Sequence, residues 1–175
     1  MERGEFLCVS GLVQDYLKYV SQETQPEAAP NRIAQVLRKV ASSHQGKVEE
    51  ALKPLLGSLE LRSVDDASRI FSQVMQEQFA DGIVNWGRIL TIFIFGGILA
   101  KKLQKGGGPL ARESTEQISH FITDYIVNTK AAWIKDNGGW DDGFVAKFDD
   151  ESHWLSLHNV KTKIMAVFLY FSQYL

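Results

Sequence analysis

Apolar residues recur at intervals of three and four along almost the whole chain, and no sustained period-two alternation is present, so the pattern predicts helices and no sheet. Phe6, Val9, Leu12, Val13, Tyr16, Leu17 and Val20 form a first stripe, followed by a loop over 21–31 marked by Pro26 and Pro30. Asn31 is placed to cap a second helix whose inner face carries Ile33, Val36, Leu37, Val40, Ala41 and Val48. Pro54 and Gly57 predict a short irregular piece after it. Ser63, with Asp65 and Asp66 behind it, reads as the N-cap of a helix bearing Ala67, Ile70, Phe71, Val74, Met75 and Phe79.

The next helix, 85–103, differs in kind. It is apolar all round, the pattern of a helix enclosed by other helices. Gly96 and Gly97 should each weaken it by about 1 kcal/mol, so their presence points to close helix crossings. The run Gly106-Gly107-Gly108-Pro109 ends it. A further helix carries Ile118, Phe121, Ile122, Tyr125, Ile126 and Trp133. Gly138-Gly139 closes a short helix, Trp140-Asp141-Asp142 opens another, and a last one starts near Ser152. The chain thus reads as one all-α domain over 1–175, with roughly eight or nine helices, mostly amphipathic, around one apolar helix.

The entrance to that apolar helix carries the most specific chemistry. Asn85 is a good N-cap, which puts Trp86, Gly87 and Arg88 in the first turn. A cation is disfavoured at that positive end of the helix dipole unless an anion joins it. The anion is either a carboxylate of another chain, which Gly87 would allow to approach closely, or an internal partner such as Asp81.

Composition changes the picture only by exclusion. With 45% hydrophobic and 23% charged residues and a net charge of −2, the chain shows no case for nucleic acid, which calls for a clustered basic face. Cys8 is the only cysteine, so no intrachain disulfide forms, and the acidic N-terminus with Glu2 and Glu5 is unlike a secretory signal. His44, His120, His153 and His158 have no metal-ligand spacing, so no metal or other cofactor is expected. Gly106-x-Gly108-x-x-Ala111 follows a helix, not the strand a dinucleotide site needs, and Gly46-Lys47 lacks the rest of a phosphate loop. Asp141-Asp142 and Asp149-Asp150 read as solvated faces and helix starts, and no catalytic constellation survives. The uncharged stretches 89–100 and 164–175 are shorter than the roughly 17–25 residues that span a bilayer. The second, preceded by Lys161 and Lys163, reads as a docked or peripheral helix within 152–175, with a weak tail anchor as the alternative.

Asp81-Gly82-x-x-Asn85-Trp86-Gly87-Arg88, continuing to Phe95-Gly96-Gly97, resembles the first homology motif of the Bcl-2 family of apoptosis regulators. Trp133 to Phe144, through Asn137-Gly138-Gly139-Trp140, resembles the second, in the same order and separation. Residues 12–20 resemble the family's N-terminal homology helix, and 31–52 stand where its death motif lies. Within the family the short first loop and the setting of Asn85 to Ile89 resemble the Bfl-1-like pro-survival branch, although Leu55 stands where members of that branch can carry a groove cysteine.

The resemblance implies a Bcl-2-like bundle, a central apolar helical hairpin surrounded by amphipathic helices. It also implies a groove that takes an amphipathic helix by apolar anchors. Carried over by position, the lining is Val48, Leu52, Phe71, Val74, Met75, Thr91 and Phe95, with Asn85, Gly87 and Arg88 at the polar end, where Arg88 would meet the ligand's aspartate. Periodicity alone also allows Val74 and Met75 to be plain core. The implied partners are pro-apoptotic relatives presenting their death-motif helix, and the implied place is the cytoplasm and the face of the mitochondrial outer membrane. Killers in the family carry Leu-x-x-x-Gly-Asp or a close variant, whereas this chain has Leu37-Arg38-Lys39-Val40-Ala41-Ser42. Without that carboxylate the segment is a poor donor, which favours a receptor that sequesters killers and blocks membrane permeabilisation. The alternatives are a pore-forming killer of the same fold or a membrane-binding helical module.

Overall fold

A computed structural model describes residues 3–21, 27–58, 61–104 and 112–148. The stretches predicted to hold the glycine-rich break at 106–109 and the terminal helix at 152–175 lie outside the described residues. The elements in order are α1 (Arg3–Ser21), α2 (Arg32–Ser58), α3 (Val64–Gln78), α4 (Trp86–Gln104), α5 (Arg112–Thr129), α6 (Ala131–Asp136), a π-helical turn (Gly139–Val145) and α7 (Ala146–Phe148). Every described element is helical, as the periodicity requires.

The caps form where the sequence puts them. Asn31 Oδ1 accepts from Ala34 N at 2.9 Å, and Ser63 Oγ from Asp66 N at 3.2 Å, each satisfying a donor that the helix itself cannot. The apolar helix α4 is the axis of the bundle. Thirteen of its residues from Arg88 to Ala100 are buried without a break, and α1, α2, α3 and α5 all pack on it. Its hairpin partner α5 is amphipathic, burying Ile118, Ile122 and Ile126 while His120 and Asn128 stay exposed.

The two mid-helix glycines are explained by those crossings. A Cβ on Gly96 would lie 2.6 Å from Ile122 Cδ1, and one on Gly97 would lie 3.1 Å from the side-chain amide of Gln45. The second contact belongs to a polar chain, buried at Tyr16 and Gln45, that periodicity did not reveal. Tyr16 of α1 donates its hydroxyl to Gln45 Oε1 at 2.6 Å, and Gln45 Nε2 donates to Glu49 Oε1 at 2.9 Å and to the Ile94 carbonyl at 3.2 Å. Glu49 in turn accepts from Lys101 Nζ at 2.9 Å. Gln45 lies four residues after the buried Ala41, on the apolar face of α2, and a polar side chain placed there must find partners.

Three expectations are corrected. Trp133 does not share the helix of Ile118 and Ile126: α5 ends at Thr129 and Trp133 lies in α6. Residues 54–57 are not an irregular piece: α2 runs through them to Ser58 with Pro54 inside the helix. A proline there removes one hydrogen bond and crowds the carbonyl four residues back, a cost of about 3 kcal/mol. It falls in the final turns, and the burial of Val48 and Leu52 just before it helps offset that cost. The element opening at Gly139 is a π-helical turn, not an ordinary helix. Trp86 explains it. The Trp86 ring packs edge-on against Trp133 and Phe144 and tilts onto Trp140, with centroids 5.0–5.8 Å apart, and Gly143 lies against the indole. The wider turn lets both Trp140 and Phe144 reach that cluster.

Candidate functional site: the entrance to α4

The chain between α3 and α4 is built to hold one arginine. Gly82, with φ of +74°, takes the left-handed conformation that side chains other than glycine rarely adopt. That turn lets Asp81 Oδ1 accept from Ile83 N at 3.0 Å and leaves the carboxylate facing α4. Asn85 caps α4 as expected, its Oδ1 accepting from Arg88 N at 2.8 Å. Arg88 Nη1 and Nη2 then donate to Asp81 Oδ1 and Oδ2 at 2.5 and 2.7 Å. Nη1 also donates to the carbonyls of Gln78 at 3.1 Å and Ile83 at 2.8 Å. Gln78 ends α3, so its carbonyl is one of those without an intrahelical donor. The arginine therefore sits between the positive end of one helix and the negative end of another, with a carboxylate compensating its charge.

The sequence left two partners open for Arg88, and in the free protein the partner is Asp81. The pair is asymmetric: the Arg88 side chain is 3% exposed and that of Asp81 47%. The guanidinium hydrogen bonds, with help from Ile83 N–H, hold the Asp81 carboxyl down at about 2. Its contribution to stability is therefore complete above about pH 4, the ordinary range of a free aspartate, and fades as the pH falls toward 2. Urea unfolding at pH 5 and pH 2.5 should show a larger acid loss for the natural protein than for Asp81→Asn, in which that titration is gone.

The apolar candidates come from three helices: Val48 and Leu52 from α2, Phe71, Val74 and Met75 from α3, and Thr91 and Phe95 from α4. All seven are buried. Phe71 and Phe95 stack with centroids 6.4 Å apart, and Thr91 Oγ1 donates to the Arg88 carbonyl at 2.6 Å. Asn85 is exposed and Gly87 half-buried. Both α2 and α3 pack on α4, while extensive packing between α2 and α3 themselves is missing among the described residues. The π-helical turn packs against α2.

Several contributors escaped the sequence reading. Lys130 is buried with Nζ 4.0 Å from the centroid of the Phe79 ring and 5.3 Å from that of Tyr125, and burial lowers its pKa. Arg38, inside the segment compared with the death motif, makes a bidentate pair with Asp15 of α1 at 2.6 and 2.9 Å and donates to the Glu27 carbonyl. Leu37 and Ala41 of the same segment are buried in the core, so α2 spends these positions on its own fold. A crevice of about 160 Å³ beside Arg38, lined by Asp15, Tyr19 and Pro30, has its arginine and aspartate already paired with each other.

A family model described as apoptosis regulator proteins, Bcl-2 family, matches residues 37–140, from the second turn of α2 to the first residues of the π-helical turn. The chain belongs to the Bcl-2 family. It is 47% identical over 174 residues to Bcl-2-related protein A1 of Bos taurus, covering 99% of each chain. It is also 29% identical to the apoptosis regulator Bcl-2 of Gallus gallus, over 78% of this chain and 59% of that one. Similarity extends to the regulator BAX of Rattus norvegicus, 28% identical over 81% of this chain and 73% of the other. Among solved structures, the zebrafish pro-survival protein NRZ, in a complex with the Bad BH3 segment, matches with a TM-score of 0.60 and 26% identity. The match covers 78% of this chain and 89% of NRZ. The Bcl-2 fold read from the two motifs is thus the fold of this chain.

Proposed function

We propose that this Bcl-2 family member is a pro-survival regulator that holds the death-motif helix of pro-apoptotic relatives in an apolar groove between α2 and α3, floored by α4. By sequestering them it would block permeabilisation of the mitochondrial outer membrane, acting by binding and not by catalysis. The observation that carries the reading is the charge arrangement at the entrance to α4: a fixed, buried Arg88 beside helices α2 and α3 that both pack on α4 but, among the described residues, not extensively on each other. The near full-length similarity to Bcl-2-related protein A1, and the likeness to a pro-survival protein seen with a BH3 segment, support it. So does Ser42, which leaves α2 without the carboxylate that a donor helix would present.

Anchors packed into the apolar wall would supply most of the affinity, with Arg88 supplying selectivity for the ligand's aspartate. Removing one partner of a desolvated charge pair costs about 2–5 kcal/mol, because the other charge is stranded. In a fluorescence-polarisation titration with a labelled Bad BH3 peptide, Arg88→Ala should therefore bind at least tenfold more weakly. Arg88 also ties down Asp81, Gln78 and Ile83, so the variant should melt at a lower temperature, and the titration belongs well below that melt. Unchanged affinity in the folded variant would sink the pairing. The similarity to BAX makes the killer reading the one to test alongside it. A guardian suppresses release of liposome contents by an activated killer, whereas a killer causes release itself. No helix among the described residues is long and apolar enough to cross a membrane.

A further inference from the structure

Arg88 has five N–H donors in a planar fork, and only one of its two bidentate edges is filled. The end-on edge, Nη1 and Nη2, faces Asp81, and Nη1 is further bound to two carbonyls. Nε is buried and has no hydrogen-bond partner. Nε–H and the second hydrogen of Nη2 form the other bidentate edge, the one that also suits a carboxylate. The side-chain nitrogen of Gln78, whose carbonyl already touches Arg88, is likewise buried without a partner. An unused donor buried in a well-packed helix entrance is costly, and its presence on an arginine beside a candidate groove points to a second acceptor that arrives from outside.

We propose that Asp81 is an internal stand-in for the ligand's carboxylate, neutralising Arg88 in the free protein and thereby setting how strongly the groove discriminates for a carboxylate-bearing helix. This rests on the reading of Arg88 as the ligand's counter-ion. The two members of the pair are not equally movable. Arg88 is fixed by the capped first turn of α4 and by the Gln78 and Ile83 carbonyls. Asp81 is on a turn formed by Gly82, half in solvent, next to an Ile83 that is 53% exposed. When the pair opens, Asp81 swings into water, where its charge is readily hydrated, and Arg88 stays. The ligand's carboxylate would then take the place that Asp81 vacates, and the unpaired Nε–H gives Arg88 a further donor to offer it. The ligand therefore swaps one ion pair for another, and its carboxylate contributes only the difference between the two.

A double-mutant cycle reads that difference directly. The probes are the Bad BH3 peptide and the same peptide with its motif aspartate changed to asparagine, each titrated against the natural protein and Asp81→Asn. Asparagine retains an acceptor for Ile83 N–H but no charge, so Arg88 waits for the ligand to neutralise it. The ratio of the two dissociation constants, amide peptide over carboxylate peptide, should rise at least tenfold in Asp81→Asn. The carboxylate peptide should bind more tightly, and the amide peptide should move less than threefold. Should Asp81→Asn melt early, Asp81→Ser, which keeps a short acceptor, serves in its place. A ratio that is unchanged or falls overturns the proposal, since Asp81 would then be passive or would aid the ligand by orienting Arg88. Failure of both peptides to bind the natural protein is a separate result: it overturns the groove reading and this inference with it.

Discussion

Phe95→Ala is expected to lower the unfolding free energy by about 3–5 kcal/mol, the range for deleting a large aromatic side chain from a packed core. Phe95 is fully buried in α4 and stacks on Phe71, which also contacts Phe121 at 5.3 Å and Tyr125 at 5.5 Å. Removing the ring leaves a cavity where α3, α4 and α5 meet, beside the Phe71 ring. For a chain of this length, at about 2–4 °C per kcal/mol, the midpoint of thermal unfolding should drop by roughly 10 °C. A loss below about 1 kcal/mol would show that the site relaxes easily and that the ring is not a core element. The same variant, titrated with peptide below its melt, tests the dual role assigned to this position. Weaker binding beyond the fraction unfolded places Phe95 in the groove floor as well as in the core.

Gly143→Ala is the second large effect. The new methyl would lie 2.2 Å from the Asn137 carbonyl oxygen and 2.6 Å from Trp86 Cζ2. A backbone carbonyl cannot fold aside as a flexible side chain does, so either the π-helical turn or the Trp86 ring must move. Overpacking of this kind costs typically about 1–3 kcal/mol, and the backbone contact puts the expected loss at the upper end. The fluorescence of the tryptophan cluster should shift to the red as water reaches it. Gly46→Ala is the natural control. Gly46 has open space around its Cβ position in the middle of α2, so alanine there should stabilise by up to about 1 kcal/mol. Equal effects of the two substitutions would contradict the wedge of Trp86 against Gly143.

Local rules sufficed wherever local forces decide. The caps at Asn31, Ser63 and Asn85 follow from a short acceptor placed before an amphipathic run, and each forms its bond. The apolar identity of α4 follows from a run that has no polar face to turn outward. Pro54 was misread because a proline's cost is local while the burial that helps offset it is tertiary. The π-helical turn was out of reach for the same reason: its shape answers to Trp86, more than fifty residues away in the chain. Spacing brought Asp81 and an outside anion into contention for Arg88 but could not choose between them. The choice depends on the left-handed turn at Gly82, which aims the carboxylate at α4. The groove candidates show a different limit. An apolar face at helical spacing has the same pattern whether it meets its own core or a visiting helix. Burial of Val74 and Met75 reveals only that they are inside the free protein.

The polar chain from Tyr16 through Gln45 and Glu49 to Lys101, buried at its Tyr16 and Gln45 end, bears on how the proposed groove would adjust to ligands of different girth. Sliding or rolling α2 along α4 would pull the Gln45 amide away from the Tyr16 phenol and the Ile94 carbonyl and leave the buried Tyr16 hydroxyl without its acceptor. In the proposed groove that would make α2 the fixed jaw of a vice. The moving jaw is α3, whose contacts with α4 and α5 are chiefly between apolar side chains that can re-seat by small steps, with Met75 among them. In the proposed groove, adjustment to a bound helix would thus fall to α3 and the turn that follows it, with α2 as the fixed reference.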